Sequence, residues 1–218
     1  MLQSGFIIIL ITSILKEVEL KCIVLDAMGV MYPVGDDVKD LLYPFIVEKG
    51  GASDYSHIRD RYIEASLGRM SAADFWRSAG VDPSLEDEYL SRHTLSPGLT
   101  EFLNDFSSSG RELWCLSNDV AEWSQKLRRI HRLEKYFRGF IISGETGLRK
   151  PDRRIYELLL TRTKCQAGEV MFVDDNINNL NTAAELGLIT ALFDPLHRKA
   201  CAHHEVVNGF VELLRLVD

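Results

Sequence analysis

The stretch Val170–Leu188, VMFVDDNINNLNTAAELGL, decides the fold. It opens with a short apolar run that closes on the adjacent acids Asp174 and Asp175. Leu180, Ala183, Ala184 and Leu186 then recur at helical spacing, and Gly187 stands where a left-handed helix cap belongs. A near-continuous apolar strand followed at once by a helix is the repeating unit of a parallel sheet covered on both faces. Four similar runs lie outward from it: Lys21–Asp26 (KCIVLD), Glu112–Ser117 (ELWCLS), Phe140–Ser143 (FIIS) and Leu188–Phe193 (LITALF). Helical spacing fills the gaps, as at Trp123, Leu127 and Ile130, and at Ile155, Leu158 and Leu159. The alternation predicts an α/β fold, a Rossmann-like doubly wound parallel sheet. In that architecture ligands bind beyond the carboxyl ends of the strands.

One segment interrupts the alternation. From Pro33 to Leu95 no strand pattern appears, while Val38–Val47, Tyr55–Ser66, Ala72–Ala79 and Leu85–Arg92 predict helices. Gly50-Gly51, Gly68 and Asp82-Pro83 break them. The expected organisation is a core of residues 19–33 and 96–218 with a helical insertion at 34–95. Within the insertion, Phe75 and Trp76 are expected in its core. Phe6–Leu15 (FIIILITSIL) is apolar but too short to span a bilayer as a helix, and no basic residue precedes it as in a signal peptide. Residues 1–18 are expected to be an extension outside the catalytic unit, from a mis-assigned start. Asn208–Val217 predicts an amphipathic closing helix.

Composition narrows the class. With 218 residues and 46% hydrophobic residues the chain can bury a substantial core, which excludes disorder. Its 25 basic against 32 acidic residues give a net charge of −7, without the basic footprint of nucleic-acid binders. No membrane partner is expected. The cysteines Cys22, Cys115, Cys165 and Cys201 lack metal-ligand spacing and fit reduced thiols in a cytoplasmic protein. The six histidines show no metal pattern, and His203-His204 reads as surface.

The chemistry should lie at the strand ends. Asp26 closes the first strand, where a buried carboxylate needs a partner or a metal. Ser117-Asn118-Asp119 closes the second and offers a hydroxyl, an amide and backbone N–H groups suited to an anion. Lys150, stiffened by Pro151, follows the third. Asp174 and Asp175 close the fourth, a pair suited to a hard cation such as Mg²⁺.

With DAMGV after the first strand, then LSN, GLRKPDRRIYELLL and VMFVDDNINNLNTAAELGL in order, the chain resembles the haloacid dehalogenase superfamily of hydrolases. The resemblance covers roughly residues 20–195 and is similar in pattern to the sugar-phosphate phosphatases acting on glucose 1-phosphate and to the epoxide hydrolase phosphatase domain. It implies a helical cap at the insertion and a small phosphorylated metabolite as substrate. Asp26 would be the nucleophile forming an aspartyl phosphate. Mg²⁺ would be held by Asp26, the Met28 carbonyl and Asp175, with Asp174 a neighbouring ligand or an acceptor beside it. Ser117 and Asn118 would bind the phosphoryl oxygens and Lys150 would neutralise charge. Asn178 and Asn179 would bond nearby backbone or Lys150.

The chain departs from the pattern at Met28, where most phosphatases of the superfamily carry a second Asp as general acid and base. That catalysis contributes roughly a hundred- to ten-thousandfold. Three readings follow: a Mg²⁺-dependent phosphatase whose leaving group needs no proton or takes one from Asp36, Asp37 or Tyr32; a metal-independent 2-haloacid dehalogenase; or a catalytically weak phosphate-binding regulator. The acids Asp174 and Asp175 favour the first, because a dehalogenase has no use for metal ligands. Arg69, between two predicted helices of the insertion, is the expected contact for a second charged group of the substrate.

Overall fold

The structure is a computed structural model describing residues 19–199 and 201–217; the expectation for residues 1–18 lies outside them. Among the described residues six strands form one sheet: β1 (Cys22–Leu25), β2 (Glu112–Ser117), β3 (Gly139–Ile142), β4 (Val170–Asp174), β5 (Ile189–Phe193) and β6 (Glu205–Val207). Every pairing is parallel, in the order β3-β2-β1-β4-β5-β6. The winding therefore reverses at β1, and a crevice opens beyond the carboxyl ends of β1, β2 and β4.

Both faces of the sheet are covered, which explains the unbroken apolar runs. Along β1, Ile23 and Leu25 join one hydrophobic cluster, while Cys22 and Val24 join the other. Met171 and Val173 of β4 divide from Val170 and Phe172 in the same way. This is the two-residue alternation of a strand, with apolar partners waiting on each side.

Between β1 and β2 the regular elements are helical. They are α1 (Val38–Leu42), α2 (Tyr43–Glu48), α3 (Tyr55–Ser66), α4 (Ala72–Ser78), α5 (Glu86–Leu90) and α6 (Leu99–Phe106). Asp54 starts α3 by accepting from the Ser56 and His57 amides, and Ser71 starts α4 by accepting from Asp74. The helices close around Phe45, Phe75, Trp76 and Tyr89, all fully buried. Trp123, from α7 (Ala121–Ile130), packs 5.3 Å from Phe75 and 5.2 Å from Tyr89, centroid to centroid. One buried carboxylate ties the layers together: Glu86 accepts from Trp76 Nε1 at 2.9 Å and from Trp123 Nε1 at 2.8 Å. Hydrogen bonds to a charged group of this kind each contribute about 1.5–3 kcal/mol.

Beyond β3 come α8 (Ser143–Thr146), α9 (Arg153–Thr163), α10 (Ile177–Glu185) and the closing α11 (Phe210–Val217). Two details correct the sequence reading. The edge strand β6 is additional to the five predicted, being three residues long with only one of them buried. His204, expected at the surface, is buried just ahead of it, with Nδ1 2.8 Å from Thr190 Oγ1 and Nε2 2.9 Å from Asn181 Oδ1. The chain must lie against β5 to pair as an edge strand, and that brings His204 inward. His203 stays exposed.

Candidate active site

The register of the sheet assembles the site. Leu25 pairs with Cys115 on one side and Val173 on the other, so Asp26, the end of β2 and Asp174 emerge at one rim. Asp26 and Ser117 line a cavity of about 180 Å³ with Met28, Asn118, Lys150, Asp175 and the first residues of the insertion.

Lys150 sits at the centre, buried, with Nζ 2.7 Å from Asp26 Oδ1 and 2.7 Å from Asp174 Oδ2. Its backbone is clamped by one side chain: Asn118 Nδ2 donates to the Lys150 carbonyl at 2.9 Å, and the Lys150 amide donates to Asn118 Oδ1 at 2.8 Å. One N–H and the oxygen of the Asn118 side-chain amide, expected to face a phosphoryl group, thus serve to present the lysine, while Asn118 also lines the cavity. Asp174 is saturated in the same sense. Besides Lys150 it accepts from the Asn176 amide at 2.7 Å and from Asn179 Nδ2 at 3.0 and 3.2 Å. Asn179 therefore bonds Asp174 rather than Lys150. Ser117 Oγ is buried and has no hydrogen-bond partner among the described residues. A buried hydroxyl left unpaired is costly, so it marks a place for a bound oxygen.

Electrostatics point to missing positive charge. Burial first, and the Asp174 carboxylate second, raise the Asp26 carboxyl well above the usual range, with Lys150 opposing. Asp175 is raised likewise by burial and by Asp174, although Lys199 Nζ lies 3.1 Å from its Oδ2. Burial disfavours the Lys150 ammonium, but the charges of Asp174 and Asp26 outweigh it and raise its pKa. Carboxylate oxygens of Asp26, Asp174 and Asp175 all lie within 4.8 Å of one another. The Met28 carbonyl takes no backbone N–H among the described residues. Gly29, at φ +81°, leaves the room that Asp175 needs, since a Cβ there would stand 2.4 Å from its Cγ. Hard oxygen donors with excess negative charge fit a divalent cation of the Mg²⁺ type.

The acids weighed in place of a second Asp fall in different situations. Tyr32 is buried under His93 and His131 and does not line the cavity. Asp37 lines it, but both its oxygens are engaged, by His93 Nε2 at 3.0 Å and by the Tyr89 hydroxyl at 2.5 Å. Burial opposes a charged His93, yet the hydrogen bond and charge of Asp37 raise its pKa. Asp119 is buried, its carboxyl pushed up to about 7 by burial and by the charge of Asp37. Asp36 is exposed on the cavity wall.

Arg69 is misplaced by the sequence reading. It is exposed, pairs with Glu64 at 3.1 Å and does not line the cavity. The chain turns at Gly68, whose backbone packs so tightly on the Gly144 carbonyl that a Cβ would stand 2.4 Å from it, and this carries Arg69 away. The cation beside Lys150 is instead Arg149, facing Tyr62 across the rim. Its position next to Lys150 in GLRKP was the available signal; Tyr62 and Lys199 had none.

A parallel α/β sheet with an acid–lysine–acid cluster at its carboxyl rim and helices inserted after the first strand defines a hydrolase class. Residues 20–187 match the haloacid dehalogenase-like hydrolase family, and the chain belongs to it. Sesquiterpene phosphatase astK of Aspergillus oryzae (strain ATCC 42149 / RIB 40) is 31% identical over 91 residues, 42% of this chain and 46% of its own. (S)-2-haloacid dehalogenase 4A of Burkholderia cepacia is 25% identical over 91% of this chain and 95% of its own. Among solved structures, a HAD phosphatase from Thermococcus onnurineus superposes with a TM-score of 0.72 at 16% identity, covering 90% of this chain and 97% of that one. The chain spans less than half the length of the first curated relatives it matches. No helix among the described residues is long and apolar enough to cross a membrane.

Proposed function

We propose that the chain is a Mg²⁺-dependent phosphatase of small phosphorylated metabolites, of the sugar-phosphate class, acting through an aspartyl phosphate on Asp26. The observation that carries the reading is the cluster of Asp26, Asp174 and Asp175 around Lys150. Attack on carbon with loss of halide needs no cation; attack on a phosphate ester brings further negative charge to acids already short of positive charge.

In this reading Asp26 attacks phosphorus through its carboxylate oxygen, the bond to the ester oxygen breaks, and the leaving oxygen departs with the bonding pair and takes its proton from water. Lys150 offsets charge on Asp26 and on the transferring group, and Asp174 holds the ammonium in place. Ser117 Oγ donates to a phosphoryl oxygen, which satisfies the hydroxyl. Asp26, the Met28 carbonyl and Asp175 would hold Mg²⁺, which supplies charge compensation to nucleophile and phosphoryl oxygens. Water then attacks phosphorus, releasing phosphate and regenerating Asp26. The Met28 thioether exchanges no proton, so esters with good leaving groups are favoured. The helices of the insertion, α1 to α5, act as a cap over the cavity.

The second reading, a 2-haloacid dehalogenase, draws on Met28 and on the similarity to dehalogenase 4A. A panel of phosphate esters and 2-haloacids, assayed with Mg²⁺ and with EDTA, separates the two. The expected result is phosphate release lost in EDTA and restored by Mg²⁺, with no halide release. Chloride release that persists in EDTA contradicts the phosphatase.

A further inference from the structure

We infer that Arg149 makes the cavity selective for phosphate esters bearing a second anionic group near the phosphate, a carboxylate or another phosphate; this rests on the phosphatase reading. Two cations line the cavity, and they are consecutive in the chain. Lys150 is committed to Asp26 and Asp174. Arg149 is not committed to any acid among the described residues. Its NH1 donates to Ser66 Oγ, a neutral hydroxyl, and its guanidinium carbon lies 5.7 Å from the centroid of the Tyr62 ring.

That arrangement aims the charge without neutralising it. Tyr62 is buried, and its hydroxyl donates to the Asn118 carbonyl at 3.1 Å, while Asn118 clamps the Lys150 peptide. The guanidinium therefore rests on a wall braced from both α3 and the β2 end, and its remaining N–H groups are available to a ligand. Guanidinium forks match carboxylate and phosphate oxygens. Because Arg149 lines the same cavity of about 180 Å³ as Lys150 and Asp26, the group it meets shares that confined space with the phosphoryl bound at Asp26. Apart from these two cations, the charged residues of the cavity among those described are acids, so a substrate with two anionic groups is tolerated only where each finds its own cation.

The test compares kcat/KM for three esters of similar size: 2-phosphoglycolate, ethylene glycol bisphosphate and 2-hydroxyethyl phosphate, which lacks the second anion. The full chain is assayed in Mg²⁺ as wild type, Arg149→Met, Arg149→Lys and Ser66→Ala. The wild type is expected to prefer at least one dianionic ester over 2-hydroxyethyl phosphate by about 10- to 100-fold, mostly in KM, the size of a charged hydrogen bond. Arg149→Met should reduce that ratio to within about threefold of unity, whatever happens to the absolute rates. Arg149→Lys should restore part of it, and Ser66→Ala, which removes the latch but not the charge, should keep it. Preference for one dianionic ester alone identifies the carboxylate or the second phosphate as the group recognised. A wild-type ratio near one, or an Arg149→Met ratio equal to wild type, overturns the inference while leaving the phosphatase reading intact. Failure of all three esters, with no phosphate released from an aryl phosphate, removes the phosphatase reading and the inference with it.

Discussion

Asp26→Asn is expected to lower phosphate ester hydrolysis by at least about ten-thousandfold, because it replaces the attacking oxygen by an amide that cannot form the acyl phosphate. The substitution is isosteric and keeps a carbonyl oxygen able to accept from Lys150 and from the Ala27 amide, which donates to Asp26 Oδ1 at 2.6 Å in the wild type. Ser117, Lys150 and Arg149 are untouched, so phosphate binding should survive the loss of turnover. Initial rates beside a phosphate-binding titration check both halves. A fall of only about a hundredfold would instead match loss of a general base, and would move the nucleophile to water.

Lys150→Met is expected to remove activity and stability together. The ammonium separates two carboxylates, one 7% exposed and the other fully buried, and its loss leaves them facing each other without a counter-charge. Breaking one member out of a buried ionic cluster costs about 3–5 kcal/mol. For a domain of this size that lowers Tm by roughly 6–20 °C. The pH dependence has a definite sign. Burial and Asp174 already raise the Asp26 carboxyl, and losing Lys150 raises it further. A raised carboxyl favours the folded state at low pH, where it is protonated, and loses that contribution as pH rises through its folded pKa. The difference in Tm between wild type and variant should therefore be widest near pH 8 and narrow toward pH 5. Activity should fall about a thousandfold, the loss expected when a transition-state charge partner is removed. Equal Tm differences at both pH values would mean that the two acids do not share this lysine.

Much of the fold was legible because the signals were local. Each of the five predicted strands is an apolar run, and the relevant acids and hydroxyl lie at or just past a strand end: Ser117 and Asp174 close β2 and β4, and Asp26 and Asp175 follow β1 and β4. β6 escaped because three residues, only one of them buried, make no pattern. The acids and the lysine were found by position at strand ends, yet their partnerships were not. Asn118 and Lys150 are 32 residues apart, and Asp37 and His93 are 56 apart, with nothing near either residue to announce the bond. Arg69 failed for the complementary reason. A loop arginine reads the same from sequence whether its loop bends toward the cavity or away, and the tight contact of Gly68 with Gly144 decides this one. Arg149 was visible in GLRKP, but only the wall formed by Tyr62 shows which way it faces.

A single turnover in H₂¹⁸O reports which atom water attacks, with Asp26 analysed by mass spectrometry after proteolysis and the released phosphate analysed in parallel. If water attacks phosphorus in an aspartyl phosphate, the heavy oxygen enters phosphate and Asp26 remains unlabelled. Heavy oxygen in the Asp26 carboxylate would show water attacking the carboxyl carbon of an alkyl ester, and would contradict a phosphatase built on this residue.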